Sequence, residues 1–180
     1  MEAIECIMTR RSIRRFDGQE ISRETLESIM AAVIMSPSWK NSQTVHYYII
    51  TDRAMIEKIA DEGITHEKNR LNAKSAAALA VQVIKTGICG YEQDGSFSTS
   101  KGSGWEMYDA GISAQTFCLA AHDKGIGTVI MGITDYDKIG ELLGISEDET
   151  VAGVIAAGYP SEDKVNVPAR KTLSQAVSFI

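Results

Sequence analysis

The densest run of chemistry-capable side chains is Arg10-Arg11-Ser12-Ile13-Arg14-Arg15. A phosphate monoester needs cations and hydrogen-bond donors converging on a small volume. Arginine supplies a planar fork matched to phosphate oxygens, and serine adds a hydroxyl. In an extended segment residues 10, 12 and 14 point to one side, which would present Arg, Ser and Arg together. The same run also reads as favourable charge at a helix C-terminus plus solvated surface, and by itself it leaves both readings open. The whole chain is acidic, with net charge −6 from 18 basic and 24 acidic residues. An acidic protein is a poor general nucleic-acid binder, so the cluster points to a local anion site.

Other constellations are weaker. Ser36-Pro37-Ser38-Trp39-Lys40-Asn41-Ser42-Gln43 is a rigid turn whose hydroxyls, amides and ring could bond a heterocycle edge and cover its face. It equally reads as an ordinary helix stop. Gly127 to Ile133 is an apolar extended stretch in which Gly132 permits close backbone approach to a ligand; a plain strand with one glycine fits as well. Arg170-Lys171, after Pro168, is surface charge unless the tail folds back onto the first cluster. His46, His66 and His122 are not at metal-ligand spacing, and His122, ending an apolar helix, reads as structural. Nucleophile-elbow, phosphate-loop and dinucleotide glycine motifs are absent from the sequence. Cys6, Cys89 and Cys118 are odd in number and far apart, forming neither a disulfide framework nor a metal set, and a reducing cytoplasm is their simplest setting. Chemistry on such a scaffold would fall to a cofactor.

The elements that must position these groups follow from periodicity. Glu2 to Thr9 reads as a short helix leading into the arginines. Ser22 caps a second helix, with Leu26, Ile29, Met30, Val33 and Ile34 on its apolar face and Pro37 as its stop. Val45 to Thr51 is β-rich, Asp52 caps a helix ending near Gly63, and Thr65 to Lys74 is a polar helix. The nearly unbroken apolar run Ala76 to Ile84 suits a strand buried on both faces. Thr86 to Gly104, rich in Gly and Ser, reads as a long loop or flap. Asp109 to Lys124 is a helix with no charge between Asp109 and His122, so it belongs in a core or a subunit interface. Thr128 to Ile133 and Val151 to Ala157 are extended, Asp137 to Leu143 is helical, and the tail from Val165 has little apolar surface of its own. Strands separated by helices predict an α+β sheet in a single domain spanning 1–180. No apolar run approaches the roughly 20 residues of a membrane span.

The order and spacing of these motifs resemble the FMN-dependent nitroreductase family over nearly the whole chain. Arg-Arg-Ser-Ile-Arg-Arg-Phe at 10–16 is similar to the family's phosphate-binding start, and Ser36 to Gln43 to its second motif. Asp109-Ala-Gly-Ile-Ser-Ala-Gln115, followed by Gly125-Ile-Gly127, resembles its central helix and exit. Pro168-Ala-Arg-Lys-Thr-Leu173 resembles its closing motif. The resemblance implies an α+β fold with a central mixed sheet flanked by helices, and an intertwined homodimer with FMN at the subunit interface. It implies that Arg10, Ser12 and Arg14 hold the phosphate and ribityl chain, with Arg11 adding contacts and Arg170 and Lys171 closing on the same phosphate. Pro37, Ser38, Trp39 and Asn41 would border the isoalloxazine from the partner, Asn69 its pyrimidine edge, and Ile130, Met131 and Gly132 its ring. The implied activity is hydride transfer from NAD(P)H through FMN to a nitroaromatic, quinone or similar acceptor, with no nucleic-acid or membrane partner. Thr44-Val45 and Trp39 depart from the family pattern, and 86–104, unmatched, is where acceptor choice is expected to lie. A flavin-dependent dehydrogenase or dehalogenase of the same fold, a non-catalytic FMN-binding redox protein, and a non-flavin docking module remain as alternatives.

Overall fold

The computed structural model describes residues 1–161 and 167–180. The start of the tail expected from Val165 therefore lies outside the described residues. Among the described residues four strands form one sheet in the order β1-β2-β4-β3: β1 is Val45–Ile50, β2 Ala78–Lys85, β3 Gly127–Met131 and β4 Glu149–Gly158. All three pairings are antiparallel. Among the described residues the parallel contribution is the single bridge of Ser12 to Thr128, so the sheet is mixed only through that contact.

Alternation along β2 builds two cores. Leu79, Val81 and Val83 face one side with Val129, Met131 and Val154. There they meet Ile56 of α3 (Arg53–Lys58), the π-helical turn Ile59–Gly63 that continues it, and Ile139 of α6 (Tyr136–Leu143). Ala78 and Ala80 face the other side with Ile155 and Ala157, against α2 (Arg23–Val33) and α5 (Gly104–Asp123). Small alanines on this side let Phe117 and Ala121 of α5 lie close to the sheet. Burial on both faces is why the β2 sequence runs apolar with Gln82 as its one interior polar residue.

The expected caps hold. Ser22 accepts from Thr25 N at 3.2 Å and opens α2, and Asp52 accepts from Met55 N at 2.8 Å and opens α3. Asp135 accepts from Lys138 N at 2.9 Å and opens α6. α1 is Ala3–Thr9, α4 is the polar helix Glu67–Ser75, and α7, Leu173–Ala176, lies in an exposed tail. α5 begins at Gly104, five residues before the expected Asp109. Residues 104–108 lack an apolar period, and Ser103 makes no side-chain cap, so sequence alone offers no start signal there.

Candidate cofactor site

The segment after α1 runs extended along the β3 edge. Ile13 N donates to Thr128 O at 2.9 Å, and Asp17 N donates to Tyr159 O at 3.0 Å. Gly127 and Gly158 are register partners, and the lane they leave open receives Ile13 and Phe16. A Cβ on Gly127 would stand 2.6 Å from Ile13 Cγ1, and one on Gly158 would stand 2.8 Å from Phe16 Cδ1. With Ile13 packed inward, Ser12 and Arg14 fall on the opposite side.

The arginines divide by role. Arg11 Nη1 donates to Met8 O and to Arg10 O, both at 2.7 Å, capping the last turn of α1. This is the helix-terminus reading of the cluster, and it holds for Arg11. Arg10 and Arg14 have no acidic partner among the described residues; Arg14 Nη1 reaches only Ser12 O, at 3.5 Å. Two unpaired cations around the Ser12 bridge are what a phosphate would require. No hydrogen bond or ion pair joins the exposed Arg170 or Lys171 to this segment among the described residues.

The segment 36–44 carries the signs of an incomplete site. Lys40, Asn41 and Gln43 all have positive φ, at 46°, 56° and 51°. Left-handed non-glycine backbone costs free energy and concentrates at functional sites. Ser36 Oγ, Trp39 Nε1, Ser42 Oγ and Thr44 Oγ1 are buried there without hydrogen-bond partners. The turn is pinned by Asp109 in the second turn of α5, whose Oδ2 accepts from Trp39 N at 2.8 Å and from Cys89 Sγ at 3.1 Å.

Segment 86–103 is a loop, as expected, but it is fastened to this turn. Lys40 Nζ pairs with Glu92 at 3.2 Å, Gly87 N donates to Glu106 at 2.8 Å, and the Trp39 and Trp105 rings lie 4.6 Å apart. Trp105 Nε1 in turn donates to Thr99 Oγ1 at 2.8 Å. Burial, with Asp109 beside it, pushes the Cys89 thiol up to about 12, so it is no nucleophile at neutral pH.

On β3, Ile130 and Met131 point oppositely. Ile130 is 51% exposed, while Met131 is 1% exposed and belongs to the core. Met131 therefore offers a ligand its backbone and not its side chain. Gly132 has open space around it, with Tyr136 Oη 3.8 Å from a would-be Cβ. That leaves its backbone accessible, while Gly127 and Gly158 serve close packing within the chain. Asn69 is half-buried in α4, whose lead-in is tied to the end of β3 by Thr65 Oγ1 donating to Ile133 O at 3.4 Å. Sequence reasoning missed Arg70, whose Nε is buried and unpartnered, and Thr134, whose Oγ1 is likewise. It also missed Asp109 as a positioning group. A lone acid opening an otherwise uncharged helix was the available signal.

The two halves of the candidate site stand at diagonally opposite corners of the sheet. Thr128 is level with Ala157 and Ala78, whereas Val45, following the turn, is level with Ile84. Six residues along β2 span about 20 Å, and three interstrand steps from β1 to β3 add about 14 Å across. α5 gives the same measure: Asp109 at the turn and His122 beside the arginines are about 20 Å apart along its axis.

A model of the nitroreductase family matches residues 7–159, which include both halves and exclude Arg170 and Lys171. A protein of Archaeoglobus fulgidus, provisionally named NADH dehydrogenase/NAD(P)H nitroreductase, is 32% identical over 167 residues, 91% of this chain and 88% of its own. The FMN reductase [NAD(P)H] of Bacillus subtilis is 24% identical over 174 residues, 93% of this chain and 69% of its own. The crystal structure of a nitroreductase family protein from Streptococcus pneumoniae superposes with a TM-score of 0.86 at 18% identity, covering 99% of this chain and 100% of that one.

Proposed function

The chain belongs to the nitroreductase family, and from that premise we propose that it is an FMN-dependent oxidoreductase taking hydride from NAD(P)H and delivering it to a nitroaromatic, quinone or similar acceptor. The observation that carries this reading is the pair of unpaired cations, Arg10 and Arg14, flanking the Ser12–Thr128 bridge in a chain of net charge −6. The residues present fit the cofactor. Cations suit its phosphate, and the orphaned donors and acceptors of 36–44 and Arg70 suit a heterocycle rich in carbonyls and ring nitrogens.

The working unit is a homodimer. One chain holds the phosphate half and the ring-bordering half at opposite corners, and a small cofactor needs both. The outward face of α5, Tyr108, Gly111, Ile112, Gln115 and Leu119, is uncharged and wholly or partly exposed. Two copies crossing antiparallel about Gly111–Gln115 bring the His122 end of one helix to the Asp109 end of the other. That places Pro37, Ser38, Trp39 and Asn41 of one subunit over the Arg10–Arg14 site of the next.

Bound FMN would supply the hydride chemistry that no side chain here offers. Arg10, Ser12 and Arg14 would hold its phosphate, and Arg170 and Lys171 would close from the tail. Asn69 and Arg70 bond the pyrimidine edge. Ile130 and the backbone of Met131 and Gly132 would border its ring system, with nicotinamide and acceptor entering the same pocket in turn. Sharing one pocket predicts alternating-substrate kinetics.

The test is purification and spectroscopy. The protein should be yellow, with flavin near one FMN per chain, dimeric in the ultracentrifuge, and bleached anaerobically by NADH or NADPH. A colourless protein that takes up no added FMN, or a monomer with full flavin content, overturns the reading.

A further inference from the structure

We propose that His122 is a positioning residue of the anion site, fastening the end of α1 and taking up a proton when a phosphate occupies Arg10 and Arg14. This rests on the flavin reading above, but it concerns a residue outside the motifs that led to it.

The geometry begins at Thr9, the last residue of α1 and the neighbour of Arg10. Thr9 Oγ1 donates back to Glu5 O at 2.7 Å, which uses its proton. Its contact of 2.9 Å with His122 Nε2 is therefore one in which the imidazole N–H donates and Thr9 accepts. That hydrogen bond exists in both the neutral Nε2–H tautomer and the imidazolium, so His122 can change charge without releasing α1. Two more ties hold α1 to the same end of α5: Cys6 Sγ donates to Leu119 O at 3.4 Å, and the Met1 ammonium pairs with Asp123 at 2.6 Å. Arg11 caps the helix end between Thr9 and Ser12. The direction in which Arg10 leaves α1 is thus set through Thr9 and His122.

The charges around His122 are named readily. Arg10 and Arg11 face it from the end of α1, and Asp123 adjoins it on α5 with the Met1 ammonium bound. The Cys6 and Cys118 thiols close by are held neutral, their titration raised chiefly by burial. Burial first, then Arg10 and Arg11, hold His122 below its ordinary value, while Asp123 opposes them. A phosphate dianion between Arg10 and Arg14 reverses the local sign. It cancels the arginine charges and favours imidazolium at a helix C-terminus, where a cation is already welcome. By linkage, a group that gains a proton on binding makes binding tighter as pH falls through its titration. The phosphate's own second ionisation, near pH 6, works the other way, because the dianion is lost in acid.

The experiment uses the full chain and a variant that separates these effects. His122→Gln keeps an N–H donor for Thr9 and cannot titrate. In the wild-type protein, the ring NMR signals of His122 should titrate at a higher pH when FMN is bound, and also with inorganic phosphate alone, but not with riboflavin. The ratio of wild-type to His122→Gln affinity for FMN should grow as the pH falls from about 8 to about 5.5, by roughly tenfold for each unit the His122 titration moves. FMN bound at full stoichiometry with an unmoved His122 titration, or a pH-independent affinity ratio, overturns the inference alone. Failure to bind FMN at any pH overturns the flavin reading and this inference with it.

Discussion

Ile13 lies over Gly127 so closely that a Cβ at residue 127 would sit 2.6 Å from Cγ1 and 2.7 Å from Cβ of Ile13. The neighbouring backbone hydrogen bond, Ile13 N to Thr128 O, fixes the segment along the strand, so the glycine sets how near the arginines come to the sheet. Gly127→Ala should therefore lift residues 12–14. Overpacking of this kind costs about 1–3 kcal/mol. The expected result is a lower urea midpoint together with weaker FMN binding. A variant that loses stability while keeping full FMN affinity would show that the lane does not aim the arginines.

The cluster predicts an asymmetry among its own members. Arg10→Ala and Arg14→Ala each remove a charge-assisted hydrogen bond to the phosphate, worth about 1.5–3 kcal/mol, or roughly 10- to 150-fold in FMN dissociation constant. Arg11→Ala removes a helix cap instead, and should lower stability more than affinity. Fluorescence-quenching titrations with FMN and with riboflavin decide it. If neither Arg10→Ala nor Arg14→Ala changes FMN affinity, the phosphate assignment fails.

Asp109 holds the turn by accepting from Trp39 N and Cys89 Sγ. Asp109→Ala leaves one buried and one half-buried donor without an acceptor, a cost of about 1–3 kcal/mol, whereas Asp109→Asn keeps an oxygen and should cost less. Since the Trp39 and Trp105 rings are 4.6 Å apart, their coupled signal in far-UV circular dichroism reports the turn directly. The signal should collapse in Asp109→Ala. Its persistence, with unchanged stability, would mean that Asp109 does not position the turn.

Alkaline stability follows from buried protons, most strongly those of Tyr47 and Cys89. Burial pushes Tyr47 up to about 12 from an ordinary 10.0, although Ser113 and Gln82 hydrogen-bond its hydroxyl. Cys89 rises to about 12 from 9.0. Raised values mean that the folded protein keeps protons the unfolded chain releases, so this stability is complete below pH 9 and is lost progressively from pH 9 towards 12. Cys89→Ala should make the limb that starts near pH 9 shallower, with the buried Cys6 and Cys118 thiols still contributing there, and Tyr47→Phe should flatten the limb between 10 and 12. Urea midpoints measured across that range check both variants. Parallel limbs in wild type and variants would refute the assignment.

What the sequence determined by itself was local. Ser22, Asp52 and the nearly unbroken apolar run from Ala76 to Ile84, interrupted by Gln82, specify their elements because caps and side-chain periods act over a few residues. The order Arg10, Ser12, Arg14, then 36–43, then Asp109–Gln115 was likewise written in the chain. Tertiary structure decided which of those residues meet. Strand alternation sent Met131 into the core and Ile130 out, and the Gly127–Gly158 lane selected the approach of Ile13. A contact such as His122 with Thr9 joins residues 113 positions apart, and no local rule carries that information. The separation of the two half-sites across the sheet is also a property of register, which pairing fixes only when all four strands have assembled.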